Sequence, residues 1–306
     1  MATRLSRRGF LTMAAGAALL PVGLAAGCGE DKPGTVAKDG SVTVRHAFGE
    51  TKIPAPPTRV VSAGLTGQDD LLALGVVPIA VTDWFGAEPF AVWPWAQPKL
   101  GPAQPVVLNL ADGIQVEQIA GLRPDLIIAT NAGLDADTYT RLSEIAPTVA
   151  QSGRDAFFEP WRDQATTIGQ AVFKHDEMQA LIAGVDEKFA AVLSANPSFD
   201  GRTAALLHGR LDAGKARVLT PPWRAEFLTA MGLTVTDDPA AADVAIWATE
   251  SDEEAAALLA DPAVAQRGRA NVFTGKELAG ALAFASVLSY PVVADRMPTL
   301  IAGALG

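Results

Sequence analysis

From residue 59 onward the chain alternates short apolar runs with helical stretches, the pattern of an α/β protein. "RVVSAG" (59–64) reads as a strand. Thr66 stands where it would cap a helix over "GQDDLLALG", with Asp69 and Asp70 in the first turn, where the helix dipole favours acids. Gly75 ends that helix, and "VVPIAVTD" is the next strand. "VEQIAGLRPDLIIAT" (116–130) predicts a short helix, a Pro-marked turn and a buried strand, and "PTVAQS" (147–152) a further strand.

The texture then changes. From Trp161 to Asn196 no segment has strand character. Met178, Leu181, Ile182, Val185, Phe189, Val192 and Leu193 fall at helical spacing and predict one long amphipathic helix. Strand signals resume at "TAALLHG" (203–209), "RVLT" (217–220), "DVAIWAT" (243–249) and "NVFT" (271–274). The halves echo one another: "DLLALGVVPIAVTD" is answered by "EFLTAMGLTVTD", and "DLIIATNAG" by "DVAIWATES". The expected architecture is two α/β lobes of three layers each, with mostly parallel sheets, joined by a single long helix. Its boundaries are an N-terminal lobe over 41–158, a linking helical region over 159–198 and a C-terminal lobe over 199–306.

Ahead of the lobes, Arg4, Arg7 and Arg8 precede an apolar run from Phe10 and then small residues before Cys28, the sole cysteine. This is the layout of an export signal over residues 1–27. "SRRGFL" resembles a twin-arginine signal, and "LAAGC" resembles the lipobox of bacterial lipoproteins, with Ala25 where Leu is more usual. The resemblance implies cleavage before Cys28 and lipid on its thiol. The alternative is a single membrane-spanning anchor, but Gly16, Pro21, Gly23 and Gly27 interrupt the apolar segment. Residues 28–40 are polar and Gly/Pro-bearing, the composition of a flexible spacer.

Losing the three signal arginines takes a chain of formal net charge −10 to −13. So acidic a protein is a poor partner for nucleic acid, whose phosphates demand a basic face.

"PAPPTRVVSAGLTGQDDLLALGVVPIAV", "VEQIAGLRPDLIIAT", "YTRLSEIAPTVA" and "PAVAQRGRANVF" are similar to the iron–siderophore and vitamin B12 binding proteins of ABC importers. The match runs from about residue 41 to the C-terminus. It implies a ligand cleft between the lobes and delivery of the ligand to a membrane permease with its ATPase. Such a protein is expected to be a monomer held at the outer face of the cell membrane by a lipidated Cys28. The ligand implied is an Fe(III)–siderophore, with haem or a corrinoid as the alternative, and no resident cofactor is expected.

In open α/β sheets ligands sit beyond the carboxyl ends of the strands. Arg154, Arg210, Arg224 and Lys276 each follow a strand and are expected at the cleft, where anionic chelates would meet them. Arg59, Arg123 and Arg217 precede strands and are expected at the far end. The same filter selects Trp84 and Phe85, in the aromatic loop "DWFGAEPFAVWPWAQP" that also carries Phe90, Trp93 and Trp95. It further selects Asn131, Trp223 and, opening the linking region, Trp161.

His46, His175 and His208 are scattered along the chain, so direct metal ligation is not expected; His208, at a strand end, is the only candidate ligand and reads rather as a satisfied core histidine. The competing class is an extracytoplasmic enzyme on a related scaffold. None of G-x-S-x-G, H-E-x-x-H or G-x-x-x-x-G-K-[ST] occurs, so no catalytic residue is assigned. The resemblance also implies an acidic docking residue on each lobe. Glu117 matches in the first. The second has no Glu between Gly232 and Asp243, which leaves either Asp237 or Asp238 as a substitute or no such contact on that lobe.

Overall fold

The hairpin that opens the fold is built on strict alternation. In β1 (Val42–His46) every second residue is buried, and β2 (Gly49–Ile53) pairs with it antiparallel, Val42 opposite Ile53. The computed structural model describes residue 32 and residues 34–153 and 155–306. The chain divides into Met1–Lys32 and Pro33–Gly306, and all the described strands and helices belong to the second unit. Residues 1–27, where an export signal is expected, Cys28 and Arg154 lie outside the described residues.

β3 (Val60–Ser62), β4 (Ala80–Thr82), β5 (Val106–Leu108), β6 (Leu126–Ala129) and β7 (Thr148–Ala150) form one sheet in the order β5-β4-β3-β6-β7. All its pairs are parallel. β8 (Thr203–His208), β9 (Thr234–Val235), β10 (Val244–Ala248) and β11 (Asn271–Phe273) form a second parallel sheet in the order β11-β10-β8-β9. Both faces of each sheet are covered, which explains the continuous apolar runs. In the first, Val60, Leu126, Ile128 and Val149 face the linking helices, while Val61, Ile127 and Ala129 face Ile119 and Leu142. In the second, Leu206, Val244 and Ile246 face the same central core, while Leu207, Ala245 and Trp247 face Leu258 and Val264.

Strand order reverses between β3 and β6 in the first sheet and between β8 and β10 in the second, creating a crevice at each carboxyl edge. A glycine stands just past each reversal. A Cβ on Gly64 would lie 1.7 Å from Thr130 O, and one on Gly209 would lie 2.3 Å from Ala248 O. Only glycine allows these backbones to approach so closely.

The linking region contains the expected long helix, His175–Ala195, preceded by a separate helix, Trp161–Ala171. Met178, Ile182, Val185 and Phe189 are its buried stripe, whereas Leu193 is exposed. A single apolar core runs from the first sheet through Ile168, Met178 and Phe189 to Leu206 and Tyr290, tying both lobes to the linker. Among the described residues no helix is long and apolar enough to cross a membrane.

Two local readings are corrected. Thr66 occupies the N-cap of helix Gly67–Ala73 but makes no capping bond. Its hydroxyl instead donates to Gln164 Oε1 (3.0 Å) and accepts from Asn131 Nδ2 (3.1 Å). Asp69 and Asp70 do stand in the first turn, as expected, and are buried there. The segment 217–220 is not a member of the parallel sheet. It returns antiparallel along β8, with His208 N donating to Arg217 O (3.0 Å) and Leu219 N to Leu206 O (2.8 Å).

Candidate binding cleft

The two carboxyl edges frame a cavity of about 370 Å³, within the range of small-molecule sites. Trp84 and Phe85, from the loop after β4, line its first-lobe wall with Phe158, from the loop after β7. Trp84 packs against Phe85 (ring centroids 4.7 Å apart), Phe158 (5.6 Å) and Phe284 (5.9 Å). The titratable side chains of the second-lobe wall are His208, Arg210, Arg224, Glu250 and Glu254.

Arg224 is the electrostatic centre of this wall. It is buried, Nη2 donates to Leu282 O (3.2 Å) and Ala283 O (2.8 Å), and the guanidinium carbon stands 4.7 Å from the Phe158 ring centre. Its Nε has no partner, and no carboxylate pairs with it among the described residues. Burial pushes its pKa down to about 10, so it stays charged at neutral pH. His208 is corrected from a core residue to an exposed one on the cavity wall. β8 ends there, so its ring projects past the sheet instead of into it. Burial first, then Arg210 and Arg224, lower its pKa and favour the neutral imidazole.

The remaining candidates are dispersed. Asn131, Trp161 and Trp223 line a smaller enclosed space beside the cleft, together with Phe158 and Gln164. Asn131 accepts from Phe158 N (2.8 Å) and Trp223 Nε1 donates to Phe158 O (2.9 Å), so both hold the Phe158 loop. Trp161 is buried edge-on to Tyr290, with centroids 5.2 Å apart. Lys276 pairs with Glu88 (2.7 Å) and lies 5.6 Å from the Trp93 ring centre, linking the second lobe to the aromatic loop of the first. Trp93 and Trp95 stack on each other away from the cavity wall.

Glu117 is in the first turn of helix Val116–Leu122, with its side chain 84% exposed and accepting from Arg141 Nη2 (2.6 Å). Asp237 and Asp238 are exposed just past β9. Arg59 lies at the far end as expected, bonded to Leu122 O and Arg123 O. Arg217 does not. The antiparallel return of its segment carries it to the carboxyl end of β8, beside His208.

Sequence reasoning passed over Phe158, Phe284 and Glu250. Phe158 follows a strand end, as the loop after β7, and the filter that chose Trp84 selects it too. Phe284 ends helix Gly275–Phe284, ahead of Ala285 at φ +47°, a conformation with no sequence signature there. Among the described residues no group of three or more His, Cys, Asp or Glu is arranged to hold a metal ion.

The sequence model of the family described as periplasmic binding protein matches residues 60–266. The protein named "Probable siderophore-binding lipoprotein YfiY", from Bacillus subtilis (strain 168), is 32% identical over 179 residues, covering 58% of this chain and 51% of that protein. The Fe(3+) dicitrate-binding periplasmic protein FecB of Escherichia coli (strain K12) is 32% identical over 157 residues, 51% of each. The chain thus spans about half the length of these curated relatives. A crystal structure of a periplasmic solute binding protein from Mycobacterium smegmatis str. MC2 155 shares 64% identity at a TM-score of 0.85, covering 88% of this chain and 100% of that one.

Proposed function

We propose that this chain, which belongs to the periplasmic binding protein family, captures a ferric siderophore complex between its lobes and delivers it to the permease of an ABC importer for iron uptake. The observation that carries this reading is Arg224, a buried guanidinium without a counter-charge on the wall of an aromatic cleft. A buried cation costs free energy unless an anion meets it. A ligand presenting anionic oxygens to Arg224 and Arg210, and apolar surface to Trp84, Phe85 and Phe158, offsets that cost. The relatives named for siderophore and ferric dicitrate binding support the same ligand class. The role is binding, not catalysis.

Export and anchoring follow from the N-terminal pattern. The chain crosses the membrane by the twin-arginine route, is cleaved before Cys28 and stays on the outer face by its lipid. Two or more acyl chains hold a protein stably at a membrane surface. Glu117, with Asp237 or Asp238, meets basic residues of the permease. Absorption and mass spectra of ligand carried by the purified protein test the assignment: a ferric chelate is expected, and haem or a corrinoid in its place overturns it. Cys28→Ser is expected to release the protein from membrane fractions, and continued membrane retention of an uncleaved chain overturns the tether.

A further inference from the structure

β8 does not stop at the cleft in isolation. Beyond it the chain turns at Asp212–Lys215, whose backbones bond reciprocally at 2.9 Å around Ala213 and Gly214, both at positive φ. The returning arm brings Arg217 across from His208. This β-hairpin borders a second, open cavity of about 380 Å³, lined by His208, Arg210, Leu211, Asp212 and Arg217. Because His208 and Arg210 line both cavities, the second is an annex to the cleft.

The charges in the annex are arranged for an anion. Arg217 Nε donates to Asp212 Oδ2 at 3.1 Å, which fixes the guanidinium plane. Its two Nη groups have no protein partner among the described residues. Arg210 likewise has no carboxylate partner there. Two guanidinium groups and one carboxylate therefore line the annex, together with His208. A guanidinium held by its Nε presents a planar pair of donors that matches a carboxylate.

We infer that the hairpin annex built by Arg210 and Arg217 is a second anion subsite, which takes a carboxylate-bearing arm of a chelate whose iron centre sits in the aromatic cleft. This rests on the proposed function and narrows it to ferric complexes with free carboxylates. Arg217, which its sequence position assigns to the far end of the lobe, is then a specificity-determining residue. The side chains of Arg217 and Asp212 are 58% and 67% exposed, so solvent and salt screen the contact. Its effect is selectivity among chelates more than total affinity.

The test titrates the mature chain, Arg217→Gln and Arg217→Glu with two probes. Ferric citrate carries free carboxylates, whereas ferrichrome is a neutral trihydroxamate. For ferric citrate we expect a loss of roughly three- to fivefold in Arg217→Gln, the scale of a screened charged contact, and a larger loss in Arg217→Glu, both shrinking at high salt. Ferrichrome affinity is expected to stay within about twofold, the scale of a surface substitution away from the ligand. Equal losses for both probes, or no loss for ferric citrate in Arg217→Glu, overturn the subsite. A wild-type chain that binds ferrichrome but not ferric citrate also overturns it, while the proposed function stands. A wild-type chain that binds no ferric chelate overturns both.

Discussion

Asp69 of the first lobe accepts a 2.6 Å hydrogen bond from the hydroxyl of Ser286 in the second, with both side chains buried. Trp95 Nε1 donates to the same oxygen at 2.8 Å, and the other carboxylate oxygen has no partner. Beside it Asp70 accepts from Gln164 Nε2 at 2.9 Å. Burial pushes Asp69 up to about 6 and Asp70 up to about 8, with Asp69 itself adding to the shift of its neighbour. The seam between the lobes is therefore built on carboxyl groups raised by burial, of which Asp70 holds its proton at neutral pH.

A pH dependence results. Both aspartates start from an ordinary value of 3.8, so the folded chain binds more protons than the unfolded one up to each raised pKa. That stabilisation is complete below about pH 4 and is lost as pH rises through about 6 and then about 8. His46 and His208 have lowered pKa values and act oppositely below 6.5, so the cleanest window is pH 6.5 to 8. There the melting temperature is expected to fall, with a limiting slope of about 1.4 kcal/mol per pH unit for one group. Asp70→Asn should flatten the profile. A wild-type profile flat across that window contradicts the account of the seam.

Arg224→Met separates binding from stability. Removing the buried charge relieves a desolvation cost, while Leu282 O and Ala283 O lose a donor at about 1–3 kcal/mol. These oppose one another, and the expected net change in stability is under about 1 kcal/mol. Affinity for the ferric chelate should fall at least about tenfold, the scale of one desolvated charged contact. Calorimetric melting and ligand titration on the same preparation check it. A collapse of the melting temperature would assign Arg224 to the fold instead.

The alternating lobes, the long helix and most strands are legible because buried parallel strands and an amphipathic helix leave periodic apolar patterns. A place on the cavity wall is legible only where position after a strand suffices, as for Trp84, Arg210 and Arg224. Arg217 misleads because "RVLT" has strand character whichever way it runs, and direction is set by the turn at Ala213 and Gly214. The first-turn position of Asp69 and Asp70 is legible, but their burial is not. A first-turn acid looks the same in sequence whether water or Ser286 and Gln164 solvate it. Phe284 reaches Trp84 from about 200 residues away, and no local pattern encodes that contact.

The pair Lys276–Glu88 crosses between the lobes with Glu88 only 14% exposed. Lys276→Met should lower stability by about 1 kcal/mol, near the upper end for a partly exposed pair, seen as roughly 2–4 °C in melting temperature. In a double-mutant cycle with Glu88→Gln the losses should be less than additive, by about 0.5 kcal/mol or more. Strict additivity would mean that the pair does not hold the lobes.

Glu117 is exposed and remote from the cavity lining. Charge on a wet rim acts on encounter and salt dependence more than on ligand affinity. Glu117→Arg is therefore expected to bind ferric chelate as the wild type does, yet support slower uptake in reconstituted membranes. Full uptake by this variant contradicts docking through Glu117, and lost ligand binding would put it in the site.

Tryptophan fluorescence of the mature chain, titrated with ferric siderophores, ferric citrate, haem and cobalamin, tests the central claim most directly, because Trp84 forms part of the cleft wall. The account predicts saturable quenching at one equivalent of a ferric chelate, with most of the signal lost in Trp84→Phe while binding persists by calorimetry. Saturation by haem or cobalamin alone, or no saturable response to any ferric chelate, would contradict it.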